Sequence, residues 1–344
     1  MNIFENPDYL QDVAAVGALN LPWQQLSGQS ILISGATGMI GSFLIDVLME
    51  KGLDITVYAL GRSEEKAKTR FDRWWNDANF HFLSCDINKG LELDAKVDYV
   101  FHAASNTHPV AYATDPIGTI TTNIIGTNNL LSFAAEHGTK RVLFASSVEV
   151  YGENRGDVDA FSEDYCGYLN CNTLRAGYPE SKRAGEALCQ AYIRQKGLDV
   201  VIPRLARTYG PTMLMSDTKA LSQFIKKGIA GEDIVLKSAG TQLFSYTYVA
   251  DAVSGVLYCL FYGENGVAYN IADATSDIML RDLAGIIAEC VGTKVIFEIP
   301  DATEQAGYST ATKAIMTSDK IKELGWRPAF TMKEGLARTL TILK

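Results

Sequence analysis

The stretch "ILISGATGMIGS" (residues 31–42) decides the fold. Its apolar start reads as a buried strand, its three glycines as a tight turn, and the run "GSFLIDVLMEKG" (41–52) as an amphipathic helix. Glycine permits such a turn and lets backbone N–H groups approach an anion at the helix N-terminus, where the helix dipole favours negative charge. Gly35, Gly38 and Gly41 are spaced G-x-x-G-x-x-G rather than G-x-G-x-x-G, so the turn taken alone also fits a plain close strand–helix junction. The segments downstream give it weight.

From "SILIS" (30–34) onward, strand-like and helix-like segments alternate. "DITVYAL" (54–60), "FHFLSCD" (80–86), "VDYVFHAAS" (97–105), "RVLFASS" (141–147) and "DVVIPRL" (199–205) read as strands. "KAKTRFDRWW" (66–75) and the runs at 118–137 and 178–196 read as helices. This order predicts an α/β protein with a Rossmann-like, doubly wound parallel sheet. After about residue 206 the alternation loosens. The expected division is an N-terminal helical extension at 1–26, a dinucleotide-binding domain at 27–205 to which part of 234–262 returns, and a smaller substrate-binding lobe at 206–344.

Composition narrows the partners. The chain has 344 residues, 47% apolar and 21% charged, which suits an ordinary globular fold. A net charge of −9, with Lys and Arg scattered, argues against binding nucleic acid or an anionic membrane. No apolar run reaches the roughly 18 residues of a membrane span, and the acidic start "MNIFENPDYL" lacks the order of a signal peptide. The six cysteines show neither a CxxC pair nor zinc spacing, so reduced thiols, a cytoplasmic location and no metal are expected.

"YPESKR" (178–183) opens a helix and sets Tyr178 and Lys182 four residues apart on one face. A phenol titrates near pH ~10 and is a poor base at neutrality, but a neighbouring ammonium favours the phenolate. Such a pair recurs by chance in many sequences. It gains meaning here because it comes after a Rossmann-like half and because Ser147 lies at a strand end, the edge where ligands bind in such sheets.

With these parts in hand, the chain resembles the extended short-chain dehydrogenase/reductase family, in its nucleotide-sugar epimerase and dehydratase group, UDP-glucuronate decarboxylase-like members included. The resemblance spans about residues 27–344 through "GATGMIGS", "HAAS" (102–105), "NIIGTNNLL" (123–131), "SSVEVYG" (146–152), "YPESKR", "PRLARTYGP" (203–211), "YVADAV" (248–253), "AYNIAD" (268–273) and "KELGW" (322–326). It implies a tightly held NAD(P) on Gly35, Thr37, Gly38, Met39, Ile40, Gly41, Asp86, Ile87, Ala103 and Ala104. It also implies Tyr178 as the base at a sugar hydroxyl, Lys182 on the nicotinamide ribose, Ser147 on the same sugar oxygen, and Asn123 near the substrate pocket. His102 is read as packing. Where an NAD site usually carries an acid for the ribose, the chain reads Gly61-Arg62-Ser63. Arg62 suits a 2′-phosphate and tilts the expectation to NADP, with NAD the alternative.

Glu149, just past an apolar strand, is costly to desolvate unless paired or used. In the resemblance, members that eliminate water or lose a carboxylate have a hydroxyl residue followed two places on by Glu. Once C4 is a ketone, the C5 proton is acidic and a carboxylate over it can remove it. Val148 stands where some dehydratases carry an acid for the leaving hydroxyl. Two further departures concern cations. Arg207 replaces the family's usual Asn before Tyr-Gly-Pro, and Phe244 replaces the Arg that grips the substrate diphosphate. Arg207 is expected to take over that contact, with Phe244 stacking on a base or sugar face. Arg175, three residues before Tyr178, is a candidate for an acidic sugar substituent, and Lys313 for a further phosphate contact.

The reading is an NAD(P)-dependent enzyme acting on a nucleotide-diphosphate sugar through a transient 4-keto sugar, of 4,6-dehydratase or decarboxylase type, with C4 epimerase as the alternative. An NADPH-dependent keto-sugar or aldehyde reductase and a dinucleotide-sensing binding protein are the readings from other classes. The helical runs at 118–137 and 178–196 point to a homodimer, since they pair across a two-fold axis in many members.

Overall fold

The computed structural model describes residues 3–107, 109–298 and 312–344. Its main sheet is built from β1 (Ser30–Ser34), β2 (Thr56–Gly61), β3 (Phe80–Ser84), β4 (Tyr99–His102), β5 (Arg141–Phe144), β6 (Ser146–Ser147), β7 (Val200–Leu205) and a later strand, Ala268–Ile271. The strand order is 268–271, β7, β5, β4, β1, β2, β3, every pairing is parallel, and β6 adds to β7. All five residues of β1 are buried. Ile31 and Ile33 face one apolar cluster and Leu32 the other, as a strand covered by helices on both sides requires.

Helices α1 (Pro7–Gly17), α2 (Met39–Glu50), α3 (Glu64–Arg70), α4 (Pro109–Thr114), α5 (Pro116–Thr121), α6 (Thr127–Glu136) and α7 (Gly177–Lys196) continue the alternation. Two expected helices differ in detail. The run at 66–75 begins earlier, where Ser63 caps Lys66, and ends at Arg70. Beyond that point Phe71 and Trp74 turn inward to bury their rings, and Trp74 donates to Asp46 at 3.0 Å. The run at 118–137 is broken by a π-turn at Thr122–Gly126 between α5 and α6, a device found at functional sites.

Beyond β7 lie β8 (Arg207–Tyr209), β9 (Ile234–Leu236) and β10 (Leu243–Tyr248), with helices α8 (Ala220–Ile229) and α9 (Val249–Tyr262). Strand β10 is the centre of a small sheet, parallel to β8 and to Lys313–Ala314 and antiparallel to Asp277–Met279. Helix α9 returns to the main sheet and packs on β5 and β7.

The N-terminal segment is bound into the body. Helix α1 starts at Asn6, which caps Asp8, and packs on α2, α9 and the C-terminal helix Met332–Leu343. Asp12, fully buried, accepts from Tyr248 at 2.5 Å and from Arg338 at 2.6 Å. Asp12→Ala strands a buried phenol and part of a guanidinium. We expect a loss of about 1–3 kcal/mol, read as a lower urea midpoint with an unchanged slope.

Candidate active site

Four strand ends form one rim of the main sheet, and the turn after β1 is its tightest part. Gly35 has φ 70°, and a Cβ there would lie 2.8 Å from the Ala103 carbonyl carbon and the Ala104 nitrogen after β4. At Gly41 a Cβ would lie 2.6 Å from the Gly35 oxygen. Only glycine fits at either place. Helix α2 opens at Gly38 without a side-chain cap. The first-turn N–H groups of Met39, Ile40 and Gly41 are thus left for an anion. Thr37 completes the turn, half-buried.

Arg62 is exposed at the end of β2, and Asp86, beyond β3, caps Asn88 at 3.1 Å beside buried Ile87. The glycine cradle and its unfilled N–H groups fit a dinucleotide pyrophosphate. Gly35, Thr37, Gly38, Met39, Ile40, Gly41, Ala103 and Ala104 would hold it, with Arg62, Asp86 and Ile87 along the same rim.

The strand expected at 141–147 breaks at Ala145, and the break serves the site. Ala145 sends its N–H to His102 and its carbonyl receives Lys182 Nζ at 2.8 Å, while Ser146 and Ser147 pair with β7 instead. Ser147 then caps a short 3-10 turn, Val148–Tyr151, by accepting from the Glu149 N–H at 3.3 Å. Its side chain also lies near enough to Tyr178 to lower that phenol's pKa. Ser147, Glu149 and Tyr178 are therefore brought together, while Lys182, buried like Tyr178, gives its ammonium to the Ala145 carbonyl.

Electrostatics divides this group. Burial pushes the Tyr178 phenol up, Glu149 adds to the rise, and Ser147 and Arg175 pull it down. Lys182 is not among the groups acting on Tyr178. Its own ammonium is pushed by burial down to about 8. His102, 2% exposed, lies between Ser34 (2.7 Å) and Thr127 (2.9 Å) and is taken by burial, then by Lys182, down to about 3. It packs as a neutral ring.

Glu149 is not satisfied by backbone N–H groups. Both its oxygens accept from Arg175 Nη2, at 2.6 and 2.7 Å. Arg175 lies 4.8 Å over the ring of Tyr112, and that ring stacks on Tyr178 with centroids 5.1 Å apart. Tyr112 went unseen in the sequence, because it sits between strand and helix in "NTHPVAYATDP" (106–116) with no motif around it.

The remaining candidates divide. Asn123, in the π-turn and 1% exposed, donates to Ser181 at 2.9 Å and braces α7 from behind. Arg207 and Phe244 meet each other: the guanidinium carbon is 3.7 Å from the ring centroid, so the aromatic face expected to take a base or sugar takes Arg207 instead. Lys313 pairs with Asp159 at 3.5 Å. Among the described residues no His, Cys, Asp and Glu cluster suits a metal, and no helix is long and apolar enough to cross a membrane.

A sequence model of the NAD dependent epimerase/dehydratase family matches residues 31–272. UDP-glucuronic acid decarboxylase 1 of Xenopus tropicalis is 34% identical over 313 residues, 90% of this chain and 71% of that protein. UDP-glucuronic acid decarboxylase 5 of Arabidopsis thaliana is 33% identical over 90% of this chain and 88% of its own. Among solved structures, a dTDP-glucose 4,6-dehydratase from Streptomyces venezuelae with NAD and TYD bound superposes with a TM-score of 0.78 at 25% identity, covering 91% of this chain and 96% of that one.

The depressed Lys182 ammonium gives a signed expectation. Its ordinary value is 10.5 and its folded value about 8, so between these the unfolded chain binds more protons and stability rises with pH. In cofactor-stripped protein, the wild-type urea midpoint should climb relative to that of Lys182→Met as pH rises from 8 to 10.5. Parallel curves would mean that Lys182 keeps an ordinary ammonium in the fold.

Proposed function

The chain belongs to the NAD dependent epimerase/dehydratase family, and from that premise we propose that it decarboxylates a nucleotide-diphosphate hexuronic acid through a transient 4-keto sugar. The observation that carries this reading is Arg175. It stands between Tyr112 and Glu149 at the Tyr178 end of the site, and it already grips a carboxylate with one nitrogen. A sugar C6 carboxylate offers the same chemistry. Water elimination, by contrast, needs a proton donor for the leaving hydroxyl, and buried Val148 stands beside Glu149 where such a donor would help.

A nicotinamide dinucleotide held by the glycine cradle of Gly35, Gly38 and Gly41 would supply the hydride acceptor and donor. The chain's own residues do the rest. Tyr178, beside Ser147, takes the C4 hydroxyl proton in its phenolate form, which a bound cationic nicotinamide would favour, and gives it back at the end. With C4 a ketone, the uronate is a β-keto acid. Its C5–C6 bond breaks, carbon dioxide leaves, the electron pair passes to the C4 oxygen as an enolate, and C5 takes a proton. Glu149 and Arg175 orient the carboxylate so that this bond stands clear of the ring plane. The net change is one uronate and one proton in, one pentose and one carbon dioxide out, with the cofactor unchanged.

In this reading residues 27–205 hold the cofactor and 206–344 close over the sugar. Exposed Arg62 favours NADP over NAD, and titration of the stripped protein with each nucleotide decides between them. Ile117, 77% exposed, and Leu174, 74% exposed, lie on neighbouring segments and suit a homodimer face, for which sedimentation is the test.

Purified protein incubated with UDP-glucuronate in D₂O should release carbon dioxide and yield a pentose nucleotide carrying one deuterium at C5. Glu149→Gln should lower kcat by about tenfold or more while nucleotide binding persists. An isomer of unchanged carbon count would make the protein an epimerase, and loss of water from a neutral nucleotide sugar would make it a dehydratase.

A further inference from the structure

The register of β8 and β10 sets Arg207 opposite Tyr246. Phe244, two residues earlier on β10, shares that face of the small sheet. Arg207 lays its guanidinium over the Phe244 ring at 3.7 Å, and Phe244 is itself only 8% exposed. The stack holds a planar cation in one orientation. Its donors are not all met. Nη1 is buried with no hydrogen-bond partner. The carboxylate that acts on it electrically, Glu149, has both oxygens on Arg175. Burial alone favours losing that charge, and although Arg207 as a whole is half-buried, an enclosed and idle Nη1 donor is costly unless a ligand fills it.

We infer that Arg207 is the substrate-anion residue of this chain and that Phe244 is its platform. The cation stands on β8, and the ring on the adjacent strand β10 aims it. The ligand is an oxyanion of the nucleotide sugar, either the diphosphate or the sugar carboxylate. This rests on the nucleotide-sugar part of the proposed function and not on the reaction that the sugar undergoes.

Calorimetric titration of the full chain with UDP, dTDP, UDP-glucose and UDP-glucuronate tests it. Arg207→Met keeps the length and the packing on Phe244 while removing the charge, and its melting temperature reports whether the fold survives. We expect about tenfold or greater loss of affinity, partly recovered by Arg207→Lys, which restores charge without the planar fork. Loss for the nucleoside diphosphates as well as the sugars assigns the diphosphate. Loss confined to UDP-glucuronate assigns the carboxylate. A folded Arg207→Met that binds every ligand like wild type overturns the inference. Wild-type binding without carbon dioxide release from UDP-glucuronate refutes only the reaction, whereas a wild type that binds none of the four overturns both.

Discussion

Everything at the site hangs on one close approach of backbone to backbone, the turn after β1 against the end of β4. At Gly35 there is no volume for a single methyl group, since the Ala103–Ala104 peptide already occupies it. That contact fixes where α2 begins and therefore where its unfilled N–H groups point. The segment beyond β8 is tied to the same place: Thr212 donates to the Met39 carbonyl at 2.9 Å. A turn chosen by sterics thus sets both the start of α2 and an anchor for the segment beyond β8.

The side chains above that rim are held against their preferences. A buried phenol resists ionising and a buried ammonium resists staying charged. Arg207 is likewise enclosed with a donor idle. Such groups weaken a fold and persist where a ligand or a reaction uses them. Asp12 makes the contrast. It is just as buried, yet a phenol and a guanidinium satisfy it, and it needs no ligand to explain it.

What could be read from the sequence was what repeats locally. The strand SILIS, the glycine turn and the Tyr178–Lys182 helix carry period and spacing, and the structure has them where the pattern sets them. The site's pairings carry neither. Glu149 and Arg175 are 26 residues apart and join across a loop. Tyr112 reaches Tyr178 from a short helix with no apolar rhythm. Both replacements at 207 and 244 were visible in the sequence, but not that one side chain rests on the other, because that depends on a strand register. The end of α3 at Arg70 was hidden for the same reason, being set by the burial of Phe71 and Trp74 rather than by propensity.

The meeting of α1 with the last helix bears on how the chain is made. Asn6 donates to the Thr341 carbonyl at 3.3 Å, and Arg338 reaches both Asp12 and the Asp8 carbonyl. On the ribosome Asp12 precedes Arg338 by 326 residues. Until Arg338 is made, helix α1 therefore has an acidic side chain whose cationic partner does not yet exist, while the parallel sheet can assemble behind it as its strands emerge. Closure of this seam waits for Arg338, so α1 reaches its final place only after the strands between the two residues have been made.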